Sequence, residues 1–322
     1  VVELFEEQVD RTPEAAAVVF EDQTLSYRQL DERANQLAHM LLAKGSRPGD
    51  RIGLFSRRSF EMITGMLGIL KSGCIYVPFN LEYPADRLTY IGEDAGISMM
   101  VTTGAALPVL SATGDYQTLF IKEASTYPAY RPILARDSRA GVYIMYTSGT
   151  TGKPKGILVN HGNILKLVYE PGEIGVRPGD RMLQWSNYAF DGSVYEIYSC
   201  LLKGARLCLI KESAAADVYE IAKTIRQQEV TMCFITTALF NTFIDHHPTA
   251  FSKVRKLLFG GENVSVPHVR RAIDILGSDK IIHVYGPTET TVYATYYPIT
   301  KVMDNNIIPI GRPLANTQIT IR

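Results

Sequence analysis

Residues 142–156 read VYIMYTSGTTGKPKG, an apolar and aromatic run that opens into a loop of glycines, hydroxyls and lysines. Val142 to Thr147 has the β-branched and aromatic content of a buried strand. The residues after it have the chemistry of an anion cradle. Glycines let the backbone approach closely, hydroxyls turn toward phosphate oxygens, and Lys153 and Lys155 supply compensating charge. This is not the P-loop of the NTPases: Gly149 and Gly152 lie too close together for G-x-x-x-x-G-K-[ST], and Lys153 is followed by Pro154. The same composition suits a flexible surface linker, and taken alone the loop supports both readings equally.

The flanking sequence favours the cradle, because the loop follows a strand within an alternating pattern of strands and helices. Ser26 with Gln29 forms a capping box, and Tyr27, Leu30, Ala34, Leu37, Ala38 and Leu41 then recur at helical spacing until Lys44 and Gly45 stop the run. A Pro48-Gly49-Asp50 turn leads to a strand over 51–55, a helix over 60–71 and a strand over 74–79. Further strands are predicted over 142–147, 206–210, 231–235, 254–259 and 280–284, with helices over 217–229 and 267–276. Such alternation predicts an α/β fold of mostly parallel sheets covered by helices, with ligands at the carboxyl ends of strands. The stretch 104–139 mixes loops and short strands, and no short repeat or obvious linker interrupts the chain.

Composition excludes several classes. The chain has 322 residues, 46% of them hydrophobic, and equal counts of 33 basic and 33 acidic residues, so no net field draws it to nucleic acid or an anionic membrane. Cys74, Cys200, Cys208 and Cys233 are scattered in apolar runs without C-x-x-C spacing, which predicts buried thiols and no disulfides in a reducing compartment. The N-terminus is acidic and amphipathic, unlike a secretory signal, and Lys71 and Gly73 interrupt the apolar stretch 62–79; a cytoplasmic location is expected.

Three more loops carry polar chemistry at strand ends. Tyr285-Gly286-Pro287-Thr288-Glu289 offers a ring to stack on a base, a hydroxyl for a phosphate and a carboxylate for Mg2+, or else is a Gly-Pro turn with a solvated glutamate. Gly260-Gly261-Glu262 follows KLLF as a β-to-α turn, and Phe190-Asp191-Gly192-Ser193 opens a helix, where an aspartate is most often an N-cap. The six histidines lack metal-ligand spacing, and no Ser-His-Asp order, G-x-S-x-G elbow or dinucleotide-binding G-x-G-x-x-G is present.

Taken together, LSYRQLDERANQLAHML, LKSGCIYVPFNLEYPADRL, YIMYTSGTTGKPKGILVNHGNI, FDGSVYEIYSCLLKGARL and VYGPTETTVYAT resemble, in order and spacing, the adenylation domains of nonribosomal peptide synthetases. The resemblance covers essentially the whole chain. It implies the large N-terminal core of the adenylate-forming fold, built as two α/β subdomains of approximately 1–140 and 141–322. The implied reaction joins an amino acid to ATP as an aminoacyl adenylate, releases pyrophosphate, and passes the acyl group to phosphopantetheine on a separate carrier domain among neighbouring modules.

By the same resemblance Thr147, Ser148, Gly149, Thr150, Thr151, Gly152 and Lys155 hold the β- and γ-phosphates, Thr288 the α-phosphate and Glu289 the Mg2+. Tyr285 stacks on adenine beside Gly261, Glu262 and Gly286, and Phe190 lies beside the substrate carboxylate. His161 matches a histidine that follows the family's loop, with packing an equal alternative. Asp191 pairs with the substrate α-ammonium, which distinguishes amino-acid from acyl- or aryl-acid activation. The side-chain pocket is then Gly192, Tyr195, Phe234, Leu258, Gly260, Val284, Val292 and Tyr293, none of them charged, which implies an aliphatic substrate, isoleucine first and then valine, leucine and phenylalanine. Asn80 stands where the family commonly has aspartate. The chain ends at IGRPLANTQITIR, before the family's Y-x-T-G-D segment and mobile C-terminal subdomain, so this core is expected to bind substrates and turn over poorly. The rival readings are an acyl- or aryl-acid:CoA ligase on the same fold and a non-catalytic nucleotide-binding module.

Overall fold

In the computed structural model, which describes residues 1–104, 114–148, 153–169, 172–303 and 306–320, the chain divides into two units, each organised around a sheet. The first comprises Val1–Val18, Gln23–Ile164 and Asn187–Phe190; the second comprises Val19–Asp22, Leu165–Ser186 and Asp191–Arg322. The longest segment of the first unit runs to Ile164, and the second unit takes up the chain at Leu165. The reason is hydrogen bonding: the strand Gly141–Thr147 pairs parallel to Ile75–Pro78 and brings its antiparallel partner Lys155–Asn160 into the same sheet.

Strands are numbered in chain order: β1 (Ala16–Phe20), β2 (Gln23–Ser26), β3 (Arg51–Phe55), β4 (Ile75–Pro78), β5 (Met99–Thr102), β6 (Gln117–Phe120), β7 (Gly141–Thr147), β8 (Lys155–Asn160), β9 (Arg181–Gln184), β10 (Arg206–Leu209), β11 (Met232–Thr236), β12 (Lys256–Gly260), β13 (Ile281–Tyr285), β14 (Thr295–Pro298) and β15 (Arg312–Pro313). In the first unit the order is β6-β5-β3-β4-β7-β8, parallel except for the last pair. The capping box forms as the sequence predicts: Gln29 N–H donates to Ser26 Oγ at 3.2 Å, and Ser26 N–H to Gln29 Oε1 at 3.0 Å. The helix it opens, Tyr27–Ala43, buries Leu30, Ala34, Leu37, Ala38 and Leu41. The helix Phe60–Lys71 is buried along most of its length and brings the Lys71 ammonium to Glu6 and Asp31, with no exposure of the lysine side chain.

The second unit's sheet runs β15-β14-β13-β12-β11-β9-β10 and continues into the β1–β2 hairpin, whose tip Val19–Asp22 groups with this unit. From β10 to β13 the pairs are parallel; β13-β14 and β14-β15 are antiparallel. Register decides which residues share a face, since successive strand side chains alternate. Phe234 pairs with Leu258, and Gly260 with Val284, which puts all four on one face. Cys233, Ile235, Leu257, Phe259 and Ile281 point the other way, into a core with Phe240 and Phe243 of the helix Thr237–His246 and Val269 and Ala272 of the helix Val266–Leu276. Each large apolar side chain fully buried there contributes about 1.5–3 kcal/mol before entropy is charged against it. All four cysteines are buried. Among the described residues no helix is long and apolar enough to cross a membrane.

Candidate functional site

The loop that opens the sequence reading is the connection of an antiparallel hairpin. Thr147 at the end of β7 pairs with Lys155 at the start of β8, and Tyr146 with Gly156. The helix Ala85–Ala95 secures both sides of this stem: Tyr146 Oη donates to Asp94 Oδ2 at 2.6 Å, and Tyr90 Oη to the Pro154 carbonyl at 3.2 Å. The Tyr146 hydroxyl is pushed well above its ordinary range by burial and by the Asp94 carboxylate. It therefore stays protonated and keeps that bond. Ser148, Lys153 and Lys155 are exposed, with Lys153 Nζ 6.0 Å from the Tyr90 ring centroid. Gly149, Thr150, Thr151 and Gly152 lie outside the described residues. The Phe190 ring, also in the first unit, is 51% exposed although large and apolar.

In the second unit the pocket residues converge. The Phe234 ring lies 5.7 Å from that of Tyr293, and Tyr195 lies 5.1 Å from Tyr293 on another side. Tyr195 is anchored, its hydroxyl donating to the Ile174 carbonyl at 2.5 Å, whereas the buried Tyr293 Oη has no hydrogen-bond partner among the described residues. Leu258, Val284 and Val292 are buried alongside. Two glycines here have no space for a side chain. A Cβ on Gly192 would lie 3.0 Å from both the Phe234 ring and Ser186 Oγ, and one on Gly260 only 2.1 Å from the Val284 carbonyl oxygen.

Asp191 sits at the head of the short helix Gly192–Val194, which continues as a π turn over Tyr195–Ser199. It is not the side-chain cap that the sequence suggests, because its carboxylate makes no capping bond to that helix. Burial raises its pKa above the usual 3.8, and a side-chain hydrogen bond with Thr288 opposes the rise, as do bonds to the Gly192 and Asp191 amides, while the Glu289 charge adds to it. Asp191 and Thr288, assigned separately to the amino-acid and phosphate sides, are thus direct neighbours. The turn carrying Thr288 and Glu289 holds unusual backbone: Thr291 and Val292 have φ of 63° and 64°, a left-handed conformation that β-branched residues rarely adopt. Lys166 Nζ donates to the Thr290 carbonyl within that turn.

The remaining assigned residues keep accessible faces. Tyr285, at the end of β13, is 47% exposed, as stacking on a base requires. Gly286 packs its Cα against Val292, and Gly261 has a φ of 94° at the end of β12, next to the exposed Glu262. Glu289 is exposed, and among the described residues no group of three or more His, Cys, Asp or Glu side chains is placed to hold a metal. One exposed carboxylate fits Mg2+, which takes few protein ligands and completes its shell with water and substrate phosphates. His161 is neutral at pH 7, its pKa lowered to about 4 mainly by burial, with the N-terminal and Arg136 charges adding.

The sequence reading missed Glu196. Its side chain lies behind this pocket with no exposure and accepts hydrogen bonds from Gln184 and Ser186. The available signal was a charged residue inside the apolar helical run Val194–Leu201.

Residues 5–322 match the family model described as AMP-binding enzyme. The chain belongs to this family. Within it, the chain is 45% identical over 322 residues to bacitracin synthase 1 of Bacillus licheniformis, covering 99% of this chain and 6% of that protein. It is 38% identical over 326 residues to surfactin synthase subunit 1 of Bacillus subtilis (strain 168), covering 100% of this chain and 9% of that protein. The chain thus spans less than a tenth of the length of these two relatives. Among solved structures, the nonribosomal peptide synthetase FmoA3 superposes with a TM-score of 0.92 at 27% identity, covering 98% of this chain and 34% of that one. The N-terminal subdomain of Klebsiella oxytoca NpsA superposes with a TM-score of 0.88 at 27% identity, covering 98% and 80%. The α/β core of adenylation domains, expected from the sequence, is the fold of this AMP-binding chain.

Proposed function

We propose that this chain activates an amino acid for nonribosomal peptide synthesis, with an aliphatic substrate and isoleucine as the first choice. A substrate carboxylate oxygen attacks the α-phosphorus of ATP, the bond from that phosphorus to the oxygen bridging the β-phosphate breaks, and pyrophosphate leaves. An anion must approach an anion, so the chain's work is positioning and charge neutralisation and needs no protein nucleophile. Thr147 to Gly152 with Lys155 grip the leaving phosphates, Thr288 contacts the α-phosphate, and Tyr285 stacks on adenine beside Gly261, Glu262 and Gly286. Bound at Glu289, Mg2+ would neutralise phosphate charge. Phe190 borders the substrate carboxylate. The acyl group then passes to phosphopantetheine on a carrier domain, in the cytoplasm where ATP is supplied.

The observation that carries the reading is Asp191, a partly buried carboxylate whose pKa burial raises, next to the uncharged residues assigned to the side-chain pocket, Gly192, Tyr195, Phe234, Leu258, Val284, Val292 and Tyr293. A desolvated ammonium needs such a partner, and an uncharged wall suits an aliphatic side chain. ATP–pyrophosphate exchange over the common amino acids, on this chain and on one extended past Arg322, tests it. Isoleucine should lead, with valine lower by roughly 10- to 200-fold, the discrimination one methylene permits. Isoleucine and valine both at background would remove the substrate assignment. The Klebsiella neighbour is also solved with 3-hydroxybenzoyl-AMSN, which keeps acid activation as the rival. Exchange that survives Asp191→Ala would favour that rival.

A further inference from the structure

The turn that bears Asp191 has no side-chain cap, yet it must hold a carboxylate in one place. Beyond the bonds of Asp191 with Thr288 and the Gly192 and Asp191 amides, the turn packs against a buried network centred on Glu196. Its carboxylate accepts the Ser186 hydroxyl at 2.7 Å, the Ser186 amide at 3.2 Å from each oxygen, and the Gln184 side-chain amide at 3.0 Å. Glu196 and Gln184 are fully buried and Ser186 is 6% exposed, so these bonds compete little with water. Glu196 lies in the π turn Tyr195–Ser199, a wider winding than the α-helix and one frequently found at functional sites. Ser186 Oγ in turn lies 3.0 Å from where a Cβ on Gly192 would sit, in direct packing with the residue after Asp191. The carboxylate is also felt in the pocket. Burial first, then the neighbouring Tyr195, Glu196 and Asp191, raise the pKa of the Tyr293 phenol.

We propose that Glu196 is a positioning residue for ammonium recognition: through Ser186 and Gln184 it clamps the end of β9 against the Asp191–Gly192 turn and so aims the Asp191 carboxylate. This rests on the reading of Asp191 as the ammonium partner. The Gln184 and Ser186 N–H groups only donate, and the Ser186 hydroxyl donates to the carboxylate as well, so the charge strengthens all of these bonds. Glu196→Gln keeps the volume, removes that charge and offers one accepting oxygen where the carboxylate offers two.

Calorimetric binding of isoleucine, its des-amino analogue 3-methylpentanoate, and ATP to this chain tests the proposal. The Glu196→Gln variant should bind isoleucine about tenfold more weakly or worse, the loss of one hydrogen bond to a charged group, with 3-methylpentanoate and ATP unchanged. A smaller loss of the same kind is expected for Ser186→Ala, and the two losses should not add in the double variant. Equal weakening of isoleucine and 3-methylpentanoate, or no weakening in a folded variant, overturns the proposal. If Glu196→Gln does not fold, Ser186→Ala decides alone, by whether it narrows the preference for isoleucine over its des-amino analogue. Failure of the underlying reading is separate: Asp191→Ala would then keep the wild-type preference.

Discussion

Asp191 combines a cost to the fold with a use in binding. Burial disfavours its ionised form, so its folded pKa is raised above 3.8. Stability from a raised carboxyl pKa is complete below the unfolded value and is lost as pH rises through the folded one. At neutral pH the charged group therefore costs stability, and Asp191→Asn should raise the melting temperature of the ligand-free chain while weakening isoleucine binding by about 3 kcal/mol, the lower end for an unpaired buried charge. Scanning calorimetry and titration calorimetry on one preparation check both halves. Gly192 gives a second prediction. The Gly192→Ala methyl must displace the Phe234 ring or Ser186, so exchange rates should shift from isoleucine toward valine, with isoleucine losing about 1–3 kcal/mol.

Among elements, the helices of the first unit are joined by charge as well as by apolar packing. Lys71 on the helix Phe60–Lys71 meets Glu6 on the helix Val2–Arg11 and Asp31 on the helix Tyr27–Ala43, and Arg131 links Asp31 at 3.2 Å to Asp10 at 2.7 Å. Lys71→Met would leave Asp31 to Arg131 and Glu6 to Arg136 alone and should destabilise the chain, by less than the roughly 3–5 kcal/mol of a buried charge with no partner, in urea unfolding. The helix His161–Val168 starts on a histidine kept neutral by burial. Its folded pKa of about 4 lies below the ordinary 6.5, so stability should fall as pH drops from about 6.5 to about 4. Urea midpoints across that range should decline for the wild type and decline less for His161→Gln. Elements with strong local signals were legible: the capping box at Ser26 and the strand at Arg51–Phe55 stand where the periodicity puts them. The strand Arg181–Gln184 and the antiparallel additions β14 and β15 were not, although the equally short β4 and β10 were. The reason is that β4 and β10 lie in apolar runs after a helix, whereas Arg181–Gln184, Thr295–Pro298 and Arg312–Pro313 mix polar residues into two to four positions.

At the scale of the whole molecule, the alternation of strands and helices predicted mostly parallel sheets, and both sheets are so built. The pairing of β7 with β4 is a long-range contact that spacing along the chain does not show. The juxtaposition of Asp191 and Thr288, nearly a hundred residues apart in the sequence, and the burial of Glu196 likewise exist only once the strands are in register. Spacing names candidate residues well, and it cannot say which of them touch.

The pleat of β11, β12 and β13 has a consequence for how such a chain changes over time. Even-numbered positions, Phe234, Leu258, Gly260 and Val284, face the pocket, whereas their odd-numbered neighbours hold the helices in place. On the proposed reading, selectivity and foldedness are written on alternate letters of the same three words. Substitutions at Phe234, Leu258 or Val284 then change substrate preference without touching the side chains that hold the helices, whereas Gly260 is fixed by the Val284 backbone, against which a Cβ would clash.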